Sequence, residues 1–560
     1  MFSRVLKILL KLLLSILGIA VLFSIYFHFA VQIEAPILDL KQLKSSERTK
    51  LNDSTFLFKQ NFLRKNSYGI WEMYLQGSPE EIGYSQGILS QELMFIQEEA
   101  FVKQIKKMIP SEKYLKFLKY VTSFMNRNLP DYIPLEYQKE IKAVSLFADD
   151  SFDFIGDNYE RQLNYHAAHD IGHAMQNLNL VACTAFSVWD SLSVDSTLLI
   201  GRNFDFYVGD KFAENKVLMF ISPDSGYNFV SLSWSGMSGV VSGMNNQGLS
   251  ITLNAAKSEI PFTAKTPVSI IAREIVQYAS TIDEAYSIAK KRACFVAETF
   301  FIGSSEDGQT AIIEKTPDTT ILFRAGTKTE QILTNHFQSP VLFNEKLNQE
   351  NLRENATGLR FERVEELLNT KTSFDLNDFV SFLRNPYGAE NKSIGLGNEL
   401  ALNQFIAHHS ILFKPEQKKL WISTKPFQLG AYLPYSLEEI FKNPSMLMDE
   451  NFGQEVIAPD TLQLSTTYKS FLSYKKLRKK IEFAIEKNST VNSEVLESFT
   501  GVNPNFFYTW ELIGDYYVNF GQTDSAYQSY QKALLLEIPN LYERERIERK
   551  CTAIAVNEKK

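Results

Sequence analysis

The spacing of apolar and polar residues changes along the chain of 560 residues. Between about Trp71 and Leu180 apolar residues recur mainly at helical spacing, which predicts a largely helical segment. From Val181 to about Ser423, short apolar, β-branched or aromatic runs alternate with turn residues. Such runs predict many strands in one large antiparallel sheet or in a pair of sheets. Helical spacing returns near residues 268–289 and 361–368, so the pattern predicts an α+β fold.

The amino terminus, residues 1–34, carries an uninterrupted apolar run. Arg4, Lys7 and Lys11 precede the run, which extends over residues 12–31 without a charged residue. A helix of about 20 apolar residues spans the roughly 30 Å hydrocarbon core of a bilayer. We therefore expect a retained membrane anchor, with a cleaved signal sequence and a buried core helix as the alternatives. Basic residues on the amino side predict that the bulk of the protein is periplasmic or extracellular.

Composition and turn residues give the remaining boundaries. We expect a tether at 35–69, a mainly helical part of the main body at 70–182, a strand-rich part at 183–425, a linker at 426–460 and a helical tail at 461–560. In the tail, the large and small residues between Trp510 and Pro539 fit a single tetratricopeptide-like repeat. Because repeats of this kind form binding surfaces, we hypothesise that the tail binds a protein partner.

Charge and cysteine usage exclude several classes of protein. The 58 basic and 65 acidic residues give a net charge of −7, without the concentrated basic face of a nucleic-acid binder. Three cysteines are too few and too far apart for a disulfide framework or a paired-cysteine zinc site. Each cysteine must therefore be judged by its own surroundings.

Cys183 lies at the start of a predicted strand, and the next strand returns with Arg202 and Asp205 near the same end. An Arg close to a thiol favours the thiolate. Asn254 and Asn335 each follow a strand-like run, where a side-chain amide can donate to a developing oxyanion. A nucleophile, a nearby charge and amide donors predict acyl transfer. A buried inert cysteine with ordinary turn asparagines is the alternative.

Several short segments between about residues 70 and 425 occur in an order and spacing that chance rarely produces. They are Gly77–Gly87, Cys183–Ala185, Gly201–Asp205, Met244–Leu249 with Asn254, Thr266–Val268 with Ala272–Glu274, Thr334–His336 and Ser410–Ser423. Together they resemble the autoproteolytic acyltransferase/hydrolase family that includes isopenicillin N acyltransferase. They are similar more distantly to the cholylglycine hydrolase and acid ceramidase groups of N-terminal-nucleophile (Ntn) hydrolases.

The resemblance implies a four-layer αββα sandwich that is made as an inactive precursor. The thiol of Cys183 would attack the carbonyl of Ala182, and hydrolysis of the resulting ester would leave Cys183 as a new amino terminus. A freed α-amine has a pKa near 7.7–8.0, so it can act as base for its own thiol. Residue Ala182 departs from the family, in which Gly is frequent at this position.

The resemblance also assigns roles within the site. Cys183 is the nucleophile, Arg202 and Asp205 line the site, and Asn254 and Asn335 supply oxyanion and amine contacts. Arg360 is a candidate further ligand by the same resemblance, with Arg363 as the alternative match. Apart from the resemblance, His336 is a candidate for the substrate pocket because it follows Asn335. No cofactor and no metal are implied.

The sequence thus predicts an amidohydrolase or acyltransferase that acts on an N-acyl amide, with a lipid-like substrate suggested by the expected anchor. A phospholipase B-like esterase on the same fold is one alternative, and an inactive membrane-tethered scaffold with a helical tail is another. An enzyme would cleave itself between Ala182 and Cys183, whereas a scaffold would stay intact.

Three histidines, His166, His169 and His173, lie within eight residues. On a helix His169 and His173 share one face, so a metal site is geometrically feasible. A polar helix that binds substrate or shapes the precursor is a second interpretation, and a hydrogen-bonded structural helix is a third.

Overall fold

The computed structural model describes residues 2–109, 111–167, 181–257, 259 and 264–557. In these residues the strands form an eleven-stranded sheet and a six-stranded sheet. In chain order the strands are β1 (Thr49–Asn52), β2 (Thr55–Phe58), β3 (Asn61–Lys65), β4 (Trp71–Gly77), β5 (Val181–Val188), β6 (Leu199–Phe206), β7 (Val217–Pro223), β8 (Phe229–Ser233), β9 (Ser242–Asn245), β10 (Leu249–Ala255), β11 (Glu298–Ser304), β12 (Gln309–Lys315), β13 (Thr320–Arg324), β14 (Glu330–Leu333), β15 (His409–Lys414), β16 (Lys419–Ser423) and β17 (Tyr432–Ser436).

The described helices precede, interrupt and follow these strands. They are α1 (Phe2–Ala30), α2 (Lys41–Lys44), α3 (Pro79–Met108), α4 (Glu112–Asn126), α5 (Leu135–Ser145), α6 (Asn158–His166), α7 (Asp210–Glu214), α8 (Val268–Tyr278), α9 (Ile282–Lys291), α10 (Lys346–Glu354), α11 (Thr357–Leu368), α12 (Leu376–Leu383), α13 (Leu437–Lys442), α14 (Thr466–Glu486), α15 (Ser493–Val502), α16 (Phe507–Asn519), α17 (Thr523–Leu534) and α18 (Leu541–Asn557).

The larger sheet has the order β1-β2-β3-β4-β7-β8-β9-β10-β11-β12-β13, and the smaller has the order β14-β5-β6-β15-β16-β17. Neighbouring strands are antiparallel except β4 and β7, which are parallel, with Trp71 opposite Val217. The order places β5, which carries Cys183, between β14 and β6. The hairpin of β5 and β6 therefore meets β14, which is distant in the sequence, at one edge of the smaller sheet.

The two sheets pack face to face. Phe220 of the larger sheet and Ile411 of the smaller sheet lie in one shared apolar core. The outer face of the larger sheet packs on α3, α8 and α9, for example through Ile271. The outer face of the smaller sheet packs on α11 and α12, through residues such as Val364 and Phe379. The α+β class is confirmed, and the layers run helix, sheet, sheet, helix.

The first of the resembling segments forms the turn from β4 into α3. The Ser78 hydroxyl accepts from the Glu81 amide, and the Glu81 carboxylate accepts from the Ser78 amide, which completes a capping box. Gly83 lies against α5, where an added Cβ would come within 2.2 Å of the Glu140 carbonyl oxygen. This glycine is thus required by close helix packing.

Two boundaries predicted from composition differ from the structure. The expected tether at 35–69 contains β1, β2 and β3, because β2 and β3 form a hairpin whose apolar side chains pack on the sheet. Lys59, at the turn between them, has a positive φ of 53°. The expected linker at 426–460 supplies β17, the edge strand of the smaller sheet. Both segments include a short strand at a sheet edge, β1 and β17, and β1 is exposed along its whole length, so composition did not indicate that they belong to the sheets.

The segment expected to be mainly helical also begins with a strand. In β4, Glu72 is buried and accepts from Arg64, Asn66 and Tyr435, so a charged residue occupies a core position. This buried charge hides the strand pattern in the sequence. The helical spacing over 268–289 also breaks, because α8 ends at Tyr278 and α9 begins at Ile282.

The prediction of a membrane anchor, and of a membrane-anchored location with it, is wrong. A helix needs about 20 predominantly apolar residues to cross the hydrocarbon core of a bilayer. Among the described residues, no helix has both the length and the apolar character for a membrane crossing. Near the end of α1, the Phe27 ring instead stacks on Phe124 of α4, with the ring centroids 5.6 Å apart.

The tail consists of α14 to α18 around its own apolar core. Gly514 of α16 faces Tyr530 of α17 so closely that an added Cβ would lie 2.3 Å from the ring. Phe405 joins this core from the body, with its ring 5.0 Å from that of Phe471. The tail is thus a helical unit packed on the body, and its assignment as a tetratricopeptide-like repeat stays a prediction.

Candidate active site

The hairpin of β5 and β6 brings the first predicted site residues together. Cys183 lies opposite Phe204, Ala182 opposite Asp205 and Ala185 opposite Arg202. Because residues directly opposite each other in a sheet share a face, the Cys183 and Arg202 side chains lie on one face, two positions apart. The Arg202 Nη2 group is 3.5 Å from Cys183 Sγ. The expected proximity of the thiol and the guanidinium is observed.

Burial dominates the protonation of the thiol in this uncleaved chain. Cys183 is fully buried, and burial raises the pKa of its thiol to about 11, although the nearby Arg202 charge lowers it. The sequence correctly indicated the direction of the Arg202 effect, but the desolvation cost is larger. The thiol is therefore neutral before cleavage, and a base must take its proton.

Arg202 is held by groups from the larger sheet. Its Nη1 donates to the Val241 carbonyl, 3.2 Å away, and to the Ser242 hydroxyl, while its Nη2 donates to the Leu253 carbonyl. The guanidinium also stacks over the Phe204 ring, with its carbon 4.3 Å from the ring centroid. Arg202 thus bridges the two sheets at the thiol, in a fixed orientation.

Asn335 and Arg360 enclose the backbone of the nucleophile. The Cys183 amide donates to Asn335 Oδ1 at 2.9 Å, and Arg360 donates to the same oxygen at 2.8 Å. Arg360 also donates to the Cys183 carbonyl at 2.6 Å and to the Thr184 hydroxyl at 2.9 Å. Asn335 therefore presents its oxygen, rather than its amide hydrogens, to the Cys183 backbone nitrogen.

Of the two arginines that matched the sequence pattern on α11, only Arg360 contacts the nucleophile among the described residues. Arg363 is buried but donates to Asn385 and Asn391 and pairs with Glu366. The geometry therefore favours Arg360 of the two alternatives.

The Asn254 side chain links β10 to the end of β14 and to the residue that follows it. Its side-chain amide donates to the carbonyls of Leu333, at 3.2 Å, and Thr334, at 2.9 Å. These bonds hold the segment that carries Asn335 in place. In the uncleaved chain, the amide hydrogens of Asn254 are thus occupied by backbone acceptors.

Asp205 is fully buried, and neither of its carboxylate oxygens has a hydrogen-bond partner in the described part of the chain. Burial raises the pKa of Asp205 to about 7, against the lowering effect of the Arg360 and Arg202 charges. An acidic group with an unmet hydrogen-bonding capacity beside the Ala182–Cys183 bond is suited to bind a new amine.

This raised pKa makes the stability of the precursor depend on pH. The unfolded Asp has a pKa near 3.9, so its folded proton contributes stability that is complete below about pH 4 and is lost as the pH rises to about 7. In a Cys183→Ala background, we expect the free energy of unfolding to fall by about 4 kcal/mol over that range relative to Asp205→Asn. Urea denaturation at several pH values measures this difference, and a difference that is independent of pH would contradict it.

The predicted histidines take different positions. His336 is buried, its Nδ1 lies 3.0 Å from the Thr357 hydroxyl, and burial lowers its pKa to about 4. It is tied to α11 beside Arg360, whose charge contributes to that lowering. His336 thus lies in the wall around Asn335, where, among the described residues, its ring nitrogen is hydrogen-bonded to the Thr334 and Thr357 hydroxyls.

His166 has both ring nitrogens engaged, with Nδ1 2.8 Å from the Gln162 carbonyl and Nε2 accepting from the Ser238 amide at 2.8 Å. His169 and His173 lie outside the described residues. Within the residues that the structure describes, no group of His, Cys, Asp and Glu is arranged to hold a metal ion. His166 therefore acts as a hydrogen-bonded structural residue here.

Sequence reasoning missed three polar residues near the thiol. Ser242 and His409 lie behind Arg202, and Glu298 of β11 is buried close enough for its charge to act on Cys183 and Arg202. Glu298 is the one charged residue of β11, and this is the only feature of the local sequence that could have indicated a role for it. Ser242 gave no signal, because nothing in the sequence pairs it with β15.

An open pocket lies at the end of β6, and its volume of about 550 Å³ includes open solvent. Its apolar lining consists of Met94, Phe101, Phe206, Phe212, Trp234 and Met237. Phe206 is opposite Val181 in the β5–β6 ladder, two residues before Cys183. The pocket therefore lies near the amino-terminal end of β5, before Cys183, and offers mainly apolar surface.

Comparisons with known proteins identify a family that matches part of this chain. Residues 193–427 match the model of the family described as acyl-coenzyme A:6-aminopenicillanic acid acyl-transferase. The match contains Arg202, Asp205, Asn254, Asn335 and Arg360 and begins ten residues after Cys183. The family resemblance drawn from the sequence is confirmed. Over these residues the match agrees with the predicted enzyme class, a hydrolase or acyltransferase that acts on C–N bonds.

A curated relative and two solved structures were also found. An uncharacterised protein of Archaeoglobus fulgidus is 28% identical over 266 residues, which cover 45% of this chain and 44% of that protein. The chain thus matches less than half the length of this relative. An N-acylethanolamine-hydrolyzing acid amidase orthologue of Caenorhabditis elegans is 14% identical, with a TM-score of 0.30, over 42% of this chain and 93% of that one. A variant of conjugated bile acid hydrolase from Clostridium perfringens is 16% identical, with a TM-score of 0.31, over 49% and 95%.

Proposed function

We propose that this protein is a self-cleaving cysteine amidase or acyltransferase that acts on N-acyl amides through Cys183. The observation that carries the proposal is the surroundings of this one residue. Arg202 lies at its thiol, 3.5 Å away, and the Asn335 oxygen accepts from its amide at 2.9 Å. A nucleophile whose own nitrogen is held by a dedicated acceptor is what an N-terminal nucleophile requires.

Self-cleavage would begin with attack of Cys183 Sγ on the carbonyl carbon of Ala182. The C–N bond to Cys183 then breaks, its nitrogen takes up the thiol proton, and a thioester joins Ala182 to Sγ. Water hydrolyses the thioester, which returns the thiol and leaves a carboxylate on Ala182. Asp205 lies opposite Ala182 in the ladder, and we propose that its carboxylate holds the new ammonium.

In the matured site the α-amine of Cys183 replaces its amide. A free α-amine has a pKa of about 7.7–8.0, so near neutral pH it can take the thiol proton that burial otherwise retains. The thiolate attacks the acyl carbonyl of the substrate, and the ammonium returns its proton to the leaving amine. Water or a second amine then accepts the acyl group from the thioester.

The pocket beside the cleavage point favours a substrate with an apolar acyl chain. Phe206, Phe212 and Trp234 give it an aromatic wall, and each buried methylene of a ligand contributes about 0.8 kcal/mol. We therefore propose a fatty or similarly apolar acyl group. The relatives named above, an acid amidase and a bile acid hydrolase, are consistent with amide substrates of this kind.

The test is turnover by the matured protein of N-acyl glycines whose chains run from acetyl to palmitoyl, with matched acyl esters beside them. We expect release of amine from the amides, with kcat/KM at least about tenfold higher for long chains than for acetyl. Preference for the esters would favour the phospholipase B-like alternative. No turnover of either series by a protein that also stays uncleaved would favour the inactive scaffold.

The helical tail has a separate proposed role. Its packing on the body through Phe405 and Phe471 is compatible with a tetratricopeptide-like repeat that takes a protein partner. Co-purification with the tail removed from residue 461 onward is the direct measurement for this role. An unchanged set of bound proteins would contradict it.

A further inference from the structure

A row of buried polar side chains runs behind Arg202, away from the thiol. The Ser242 hydroxyl lies 2.8 Å from His409 Nε2, and Arg202 Nη1 lies 3.5 Å from the same nitrogen. His409 Nδ1 is in turn 2.8 Å from His408 Nδ1. Ser242, His408 and His409 are all fully buried. These groups belong to β9 and to the start of β15, which lie in different sheets.

The chemistry of the donors fixes the direction of each bond in the row. A guanidinium only donates, so Ser242 Oγ accepts from Arg202 and its single hydrogen points elsewhere. His409 Nε2 faces both that hydrogen and Arg202 Nη1, so it is the unprotonated, accepting nitrogen of the ring. His409 Nδ1 then carries the hydrogen and donates to His408 Nδ1. Arg202 thus selects one tautomer of each histidine.

Charged and titratable groups around the histidine pair keep both rings neutral. Arg202 lies on one side, and the Lys216 ammonium donates to the His408 carbonyl at 3.2 Å on the other. Burial, then the neighbouring His408 ring, then Arg202 and Lys216 lower the pKa of His409 well below its usual value. Farther along the row, beyond Arg202, lie Cys183, Asp205 and Glu298.

We propose that His409 is a positioning residue that holds Arg202 against the Cys183 thiol by orienting the Ser242 hydroxyl. The Ser242 hydroxyl donates its hydrogen to His409 Nε2, so this hydrogen points away from Arg202. A lone pair of the Ser242 oxygen then accepts from Arg202 Nη1. Without this acceptor the hydroxyl is free to rotate its hydrogen toward the guanidinium, and Arg202 loses a fixed partner. The inference rests on the proposed function, because it concerns how Arg202 supports the thiol.

The experiment compares His409→Leu, which removes the acceptor, with His409→Gln, whose amide oxygen can replace Nε2. The first readout is alkylation of Cys183 by iodoacetamide across pH, which needs no substrate. We expect His409→Leu to raise the pH midpoint of alkylation by about one unit and to lower kcat about tenfold at unchanged KM. His409→Gln should recover most of both effects.

Ser242→Ala and the double variant Ser242→Ala with His409→Leu complete a mutant cycle. If His409 acts through Ser242, the double variant is no worse than Ser242→Ala alone. Additive losses, an unshifted alkylation midpoint in His409→Leu, or no recovery in His409→Gln would each overturn the proposal. A shifted midpoint in a protein that turns over no acyl substrate would support the positioning role while the proposed function fails.

Discussion

Arg360→Met should lower both the rate of self-cleavage and kcat by about 100-fold. Arg360 is fully enclosed, and it donates to the Cys183 carbonyl, the Thr184 hydroxyl and Asn335 Oδ1. Its removal takes one donor from each of three buried acceptors and loosens the Asn335 side chain, which also accepts from the Cys183 amide. The fraction of cleaved chain on a denaturing gel, followed over time, measures the first rate.

Arg363→Met is the matched control for this change. Arg363 lies on the same helix and is equally buried, but its partners are Asn385, Asn391 and Glu366. Both variants lose a buried cation, so both should lose stability, which circular dichroism during thermal unfolding reports. Equal loss of self-cleavage in two folded variants would contradict a specific role for Arg360.

Cys183→Ala should abolish self-cleavage and lower amide turnover by at least about 1,000-fold, because no other group can form the thioester. Cys294→Ala serves as the control, since Cys294 is also a fully buried thiol but lies in the segment between α9 and β11, bridged to Thr266. We expect its turnover to stay within about twofold of wild type once folding is matched. Residual thiol-dependent turnover in Cys183→Ala would place the nucleophile elsewhere.

The part of the site that lies within one hairpin could be predicted from the sequence. Cys183 and Arg202 lie on the two strands of one hairpin, β5 and β6. Because side chains alternate between the two faces of a strand, the pairing of these strands brings both side chains to one face, independently of the rest of the fold. Arg360 was found through the family resemblance, with Arg363 open as an alternative until their contacts distinguished them. The local strands and helices were predictable for the same reason, since their periodicity is contained in the segment itself.

Features that depend on distant segments could not be predicted. β4 pairs with β7 in parallel, although about 140 residues separate them, and the buried Glu72 disguised β4 as a non-strand. The meeting of Ser242 with His409 depends on how the two sheets pack. The raised pKa of the Cys183 thiol could not be predicted either, because it depends on how the sheets pack. The charge of Arg202 is visible in the sequence, whereas the burial of Cys183 is not.

The central claim is that Cys183 becomes the amino terminus of an active chain. Intact-mass and amino-terminal analysis of the purified wild-type protein tests it most directly. The account predicts two associated fragments, one ending at Ala182 and one beginning at Cys183, and their absence in Cys183→Ala. A single chain continuous through the Ala182–Cys183 bond, in a folded protein incubated near neutral pH, would contradict it.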